Sequence, residues 1–155
     1  MAILDIKRAG DPVLKEVCAP IEHIDKPLRR LLDDMAETMY KADGVGLAAP
    51  QVGKPIRAIV IDAGEGLVEL INPEITFKEG MVKETEGCLS VPNYYGEVQR
   101  FARVKVKFLN RWGKQKHLTA EGLLSRCIQH ELDHLNGQMF IDIAENLTYR
   151  EGDKK

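Results

Sequence analysis

The stretch Gln129-His130-Glu131-Leu132-Asp133-His134 decides how the rest of this sequence is read. It contains an intact H-E-x-x-H, which on a helix sets His130 and His134 one turn apart on one face, within reach of a single metal ion. Glu131 then stands beside that ion, placed to move protons rather than to bind it. The flanking residues predict the helix. Leu123, Leu124, Cys127, Ile128 and Leu135 recur at three- and four-residue steps, and Asn136-Gly137 supplies a stop. Alone the motif is a modest signal, because a surface helix can carry two histidines and a glutamate without metal.

A hydrolytic metal site needs a third protein ligand and an open position for water. An extended H-E-x-x-H-x-x-G-x-x-H pattern would place a histidine at position 140, but Phe140 stands there. Glu145 and Glu151 leave little chain to fold back onto the helix. Cys88 is better placed. It lies in Glu86-Gly87-Cys88-Leu89-Ser90-Val91-Pro92, a glycine-containing loop that can present its sulfur to a neighbouring helix, and a metal would hold it as thiolate. The commoner role of an isolated cysteine is a small core residue, the role expected for Cys18 and Cys127. Cys127, three residues before His130, is expected to pack beneath the metal face. His23 and His117 have no partner pattern and read as ordinary histidines.

A second glycine segment, Gly44-Val45-Gly46-Leu47-Ala48-Ala49-Pro50-Gln51-Val52-Gly53, describes a connector whose backbone another group can approach closely. It lacks the Gly-Lys-Ser/Thr ending of a phosphate loop, and no strand comes immediately before it as a dinucleotide fingerprint requires. Beside a metal helix it becomes a candidate substrate-binding edge.

The whole chain sets bounds on these readings. Its 155 residues, 44% hydrophobic and 30% charged, suit one soluble domain. A formal net charge of −2 gives no case for nucleic acid. No apolar run reaches membrane-spanning length, and Met1-Ala2-Ile3-Leu4-Asp5 lacks a signal-peptide pattern. Three cysteines without zinc-ribbon spacing argue against a disulfide scaffold and for a reducing compartment. The expectation is a cytoplasmic, single-domain protein over residues 1–155, with no membrane or DNA partner.

Along the chain, Asp25 reads as the N-cap of an amphipathic helix with Pro27 in its first turn. Leu28, Leu31, Leu32, Met35 and Met39 form its apolar stripe, read as core packing, and Asp43-Gly44 ends it. Ile56 to Ile61 reads as a strand, and Gly66 to Ile75 and Thr76 to Lys83 as shorter extended pieces around Asn72-Pro73 and Gly80. Arg103 to Leu109 alternates as a half-buried strand and pairs through the turn Asn110-Arg111-Trp112-Gly113 with Lys116 to Ala120. Phe140-Ile141-Asp142 is a short apolar piece, and about 146–155 is expected to be a mobile tail.

Gly44-Val45-Gly46-Leu47-Ala48-Ala49-Pro50-Gln51, Glu86-Gly87-Cys88-Leu89-Ser90 and Gln129 to His134 together resemble the three signature motifs of peptide deformylase, in the family's order. The resemblance runs from Asp11-Pro12-Val13-Leu14 to Leu135-Asn136-Gly137. It implies an α+β fold, with mixed or antiparallel sheets packed around a central metal helix and the amphipathic helix as a second one. It also implies removal of the formyl group from the N-terminal formylmethionine of new polypeptides, releasing formate. By resemblance Cys88, His130 and His134 hold one divalent ion, natively iron(II), with zinc, nickel or cobalt able to replace it. Glu131 is then the acid/base, and the Gln51 amide and Leu89 N–H meet the developing oxyanion. Val45, Leu123 and Cys127 wall the methionine pocket above the His130 ring, while the backbone at Gly46 and Gly87 pairs with the peptide.

The partner implied is the formylated nascent chain. The tail residues Arg150, Lys154 and Lys155 would either touch the ribosome or simply be a solvated end. Glu84 and Arg126 stand where apolar pocket residues are often found, and Asp43 with Arg100 is expected to form a charge pair bracing the glycine segment. Two other functions share the motif. One is a metallopeptidase or amidase of different specificity. The other is a non-catalytic closed metal site, for which no fourth ligand stands out.

Overall fold

The computed structural model describes residues 2–150. Asp25 opens helix α1 (Lys26–Lys41) by accepting the Leu28 N–H at 3.0 Å, with Pro27 in the first turn, where its missing donor has no helical partner to lose. Strands β1 (Gly46–Ala48), β2 (Ala58–Ile61), β3 (Val68–Cys88), β4 (Val91–Leu109) and β5 (Gln115–Glu121) follow. Helix α2 (Gly122–Leu135) and strand β6 (Glu145–Tyr149) complete the described elements. The strands form one sheet in the order β1-β2-β3-β4-β5, with β6 added to β4 and every pairing antiparallel. The expected α+β class therefore holds.

Strand alternation explains why two helices are needed. Along β2, Ala58 and Val60 pack with Leu28, Leu32, Met35 and Met39 of α1, while Ile59 and Ile61 pack with Ile128, Leu132 and Leu135 of α2. All four β2 residues are buried, so this strand lies between the helices. Truncating a fully buried anchor such as Ile128 or Leu135 to alanine costs roughly 2–5 kcal/mol.

Three local expectations are corrected. Val68–Cys88 is one continuous strand of 21 residues, not two short pieces. Pro73 is tolerated because it falls in a register shift between Ile71 and Glu74, beside Asn72 at φ 50°, and so removes no ladder bond. The glycine segment at 86–92 is not a free loop either. Cys88 pairs with Val91 across the tight turn Leu89-Ser90, so the sulfur sits at a hairpin tip with fixed backbone on both sides.

The expectation of a mobile tail is also corrected over residues 146–149. Tyr94 pairs with Tyr149 and Tyr95 with Thr148, and the Tyr94 and Tyr149 rings meet edge to face at 5.1 Å. Residues 146–149 are thus held in the sheet, whereas residues 151–155, including Lys154 and Lys155 of the expected ribosome contact, lie outside the described residues. Among the described residues, no helix is long and apolar enough to cross a membrane.

Candidate metal centre

Helix α2 is unusual for how much polarity it buries. Ser125, Arg126, Gln129, His130, Glu131 and His134 are all buried, which is tolerable only where each polar atom finds a partner. Gln129 shows how the helix is held: its Oε1 accepts the Phe101 N–H at 2.9 Å while its Nε2 donates to the Phe101 carbonyl at 2.9 Å. Helix and strand β4 are locked at one level, directly before the histidines.

Strand β3 brings the third donor to this helix. The Cys88 sulfur lies 3.3 Å from His134 Nε2, and Cys88, His130 and His134 offer ligand atoms all within 4.8 Å of one another. Donors each about 2.0–2.3 Å from a shared tetrahedral ion stand roughly 3.3–3.8 Å apart, so small side-chain movements complete the grip. One thiolate and two imidazoles suit a divalent transition metal. Glu86 lies two residues before Cys88, and its Oε1 is 2.8 Å from His130 Nδ1, fixing the ring so that Nε2 is left for the ion. Phe140, which occupies the position of the missing third histidine, instead stacks on the His130 ring at 5.9 Å.

Charge in the centre is steeply graded. Burial opposes ionisation of Glu86, but bonds from Arg100 and His130 outweigh it and hold the acid down at about 2. Burial raises Glu131 to about 7, with the Glu86 charge adding to the rise against the opposing pull of His130. Burial, reinforced by the charge on His130, lowers His134 to about 3 and keeps it neutral. The thiol of Cys127 is pushed up to about 12 by burial and then by the Glu131 charge, so it behaves as an apolar wall. Two atoms remain orphaned: Glu131 Oε1 and His134 Nδ1 are buried with no partner among the described residues. An unpaired buried carboxylate oxygen beside three converging ligands fits a metal with its water.

Gln51 enters from the short turn Ala49–Val52. Its Oε1 accepts the Ala48 N–H at 2.9 Å, which turns its Nε2 toward Ser90 Oγ at 3.1 Å and the Cys88 sulfur at 3.6 Å. Gly46 admits Glu131 closely, since a Cβ there would lie 2.7 Å from Oε2. Gly87 likewise lies under the Tyr95 ring, and Gly44 against the Leu89 side chain. A cleft of about 670 Å³ opens over the centre. It is lined by all the site residues expected from the sequence except His134, which lies beneath: Gln51, Leu89 and Glu131, then Val45, Gly46 and Gly87, then Leu123, Cys127, Cys88 and His130.

The expected Asp43–Arg100 pair does not form. Arg100 instead meets both oxygens of Glu86 at 2.9 Å and Asp133 at 2.6 Å, because its strand position faces α2 and not the glycine segment. Glu86 is the functional residue that sequence reasoning left without a role. Its two-residue spacing from Cys88 was the available signal, readable once the segment is known to be a strand.

Comparison with known proteins agrees with this geometry. The family model described as polypeptide deformylase matches residues 3–150. The peptide deformylase of Carboxydothermus hydrogenoformans is 54% identical over 148 residues, covering 96% of this chain and 97% of its own. That of Nautilia profundicola is 50% identical, covering 100% of this chain and 94% of its own. The crystal structure of peptide deformylase from Thermotoga maritima superposes with a TM-score of 0.91 at 44% identity, covering 92% of this chain and 98% of that one. A Synechococcus elongatus peptide deformylase in complex with actinonin gives a TM-score of 0.90 at 46% identity, over 92% of this chain and 79% of that one. This chain belongs to the polypeptide deformylase family, metal-dependent enzymes that hydrolyse the formyl amide at the N-terminus of nascent peptides.

Proposed function

We propose that Cys88, His130 and His134 hold the metal of this deformylase and that Glu131 is its acid/base. The observation that carries the assignment is the convergence of the three ligand atoms beside a buried, unpartnered Glu131 oxygen. Iron(II) is the native ion in this reading, with zinc, nickel or cobalt as substitutes, in a cytoplasmic enzyme. When bound, the ion supplies Lewis acidity that makes an attacking water acidic near neutral pH. Glu131 accepts the proton of that water and returns it to the departing amine nitrogen. The formyl oxygen, as it gains charge, meets the Gln51 Nε2–H and the Leu89 N–H. Gln51 Nε2 is turned to the centre by the bond of its Oε1 to Ala48 and would exchange its long contact to the Cys88 sulfur for the formyl oxygen, and each such donor is worth about 3 kcal/mol.

The methionine side chain enters the cleft between Val45, Leu123 and Cys127. The peptide backbone runs beside Gly46 and Gly87. Strand β1 pairs only with β2 among the described residues, and its other edge is open to an added strand. The test is formate release from formyl-Met-Ala-Ser by protein purified without oxygen and assayed for metal. Release that stops in Glu131→Ala, with metal retained, supports the reading. No release from folded, metal-loaded protein refutes it.

A further inference from the structure

Arg126 is buried in the same cleft, and both terminal nitrogens of its guanidinium are engaged. Nη1 donates to Glu86 Oε2 at 2.5 Å and to the Val98 carbonyl at 2.9 Å, and Nη2 donates to the Val82 carbonyl at 2.7 Å. Glu86 in turn receives Arg100 on both oxygens and His130 on Oε1. The two oxygens are therefore loaded alike: Oε1 carries Arg100 and His130, Oε2 carries Arg100 and Arg126. Arg100 grips both oxygens of the carboxylate through Nε and Nη2, and Arg126 adds a second guanidinium on Oε2, the oxygen that His130 does not touch. Arg126 is the counterweight on the opposite oxygen, and the backbones of β3 and β4 hold it in place. Glu84 lies 3.8 Å from Arg126 Nε but is mostly exposed, and adds little.

We propose that Arg126 is a positioning residue for the metal ligand His130, acting through Glu86, so that the β3–β4 backbone sets the orientation of a ligand on helix α2. This rests on reading Cys88, His130 and His134 as the metal site. A wall residue of the cleft would then also tune the ion's affinity and ligand field, a coupling that a merely structural ion pair would not produce.

The test uses cobalt(II), titrated into the EDTA-stripped full chain without oxygen, reading the dissociation constant and the visible ligand-field bands. Wild type, Arg126→Met and Arg126→Lys are compared, with Tm measured alongside. Arg126→Met is expected to weaken cobalt binding about 10- to 100-fold and to shift the bands. Arg126→Lys is expected to recover part of both, since its ammonium still reaches one Glu86 oxygen. A lower Tm with unchanged cobalt affinity and spectrum in both variants overturns the proposal and leaves Arg126 a structural residue. Failure of both variants to fold overturns it equally. If wild type takes up no cobalt, the metal reading itself has failed, an outcome distinct from either.

Discussion

Glu86→Gln is the substitution whose consequence the structure fixes most tightly. Glu86 carries four charge-assisted bonds, from Arg100 twice, Arg126 and His130, and its side chain is only 5% exposed. A glutamine keeps one oxygen and turns an NH2 toward donors on the other side, whichever way it sits. The change therefore loses two bonds in a buried setting, those of Arg100 and Arg126 if the NH2 takes the Oε2 position, or those of Arg100 and His130 if it takes the Oε1 position. Breaking a buried pair from one side costs about 3–5 kcal/mol. The carboxyl itself gives a second measure, because holding an acid of ordinary value 4.5 down at about 2 is equivalent to about 3 kcal/mol. For a chain of this length that corresponds to a fall in Tm of about 6–12 °C.

The sign with pH follows from the depressed value. The contribution of Glu86 is complete above its unfolded value of 4.5 and is lost as pH falls through about 2. Urea unfolding of wild type and Glu86→Gln in EDTA should show the full gap between pH 5 and 7, shrunk to roughly half near pH 3. A gap below about 1 kcal/mol at pH 7 would show that Arg100 and Arg126 find other partners at little cost. A gap that does not narrow by pH 3 would mean that the loss is one of packing, not of charge.

Three further outcomes are expected. In Gly46→Ala the new Cβ meets Glu131 Oε2 at 2.7 Å, so formate release should fall about 100-fold with the Tm nearly unchanged, and full activity would place Glu131 outside the reaction. Glu131→Gln should end formate release yet stabilise the EDTA-stripped protein. The wild-type acid is raised from 4.5 to about 7, so wild type loses stability as pH climbs through that window, and unfolding free energies in urea should diverge by up to about 3 kcal/mol at pH 8 and coincide below pH 4. Gly137, just past α2, has φ 76° and a Cβ position 2.5 Å from the Lys15 carbonyl oxygen. Gly137→Ala should therefore cost more than about 1 kcal/mol in urea unfolding while activity per folded molecule is kept.

Much of this was legible in the sequence where local chemistry is decisive. Helix α1 announces itself through Asp25, Pro27 and the Leu28-to-Met39 stripe, and α2 through its periodicity and the Asn136-Gly137 stop. The three ligand candidates could be chosen by residue type and are brought together as chosen. The continuity of β3 was not legible, because Pro73, Gly80 and Gly87 each look like breaks from within the chain. Only the partner strand shows that Pro73 falls at a register shift and that Gly87 makes room for Tyr95. The partner of Arg100 was hidden for the same reason. A buried arginine meets whichever carboxylates the sheet brings to it, here Glu86 and Asp133, and Asp43 carries no local mark that rules it out.

The distribution of unpaired atoms gives a reading of the centre that owes nothing to motif spacing. Helix α2 buries six polar side chains, and Ser125, Arg126, Gln129 and His130 are tied to strand or carboxylate partners. The exceptions are one oxygen of Glu131 and one nitrogen of His134, in residues 4% and 1% exposed. The other orphaned atoms, on Glu37 and Arg103, belong to half-buried residues outside the cleft. A buried carboxylate left open costs stability unless something outside the chain completes it. The pairing that surrounds Glu131 on the same helix shows that the fold can satisfy such groups, so an open Glu131 oxygen at the cleft beside Cys88 and His130 supports the proposal that the residue serves an ion, its water and a substrate amide there.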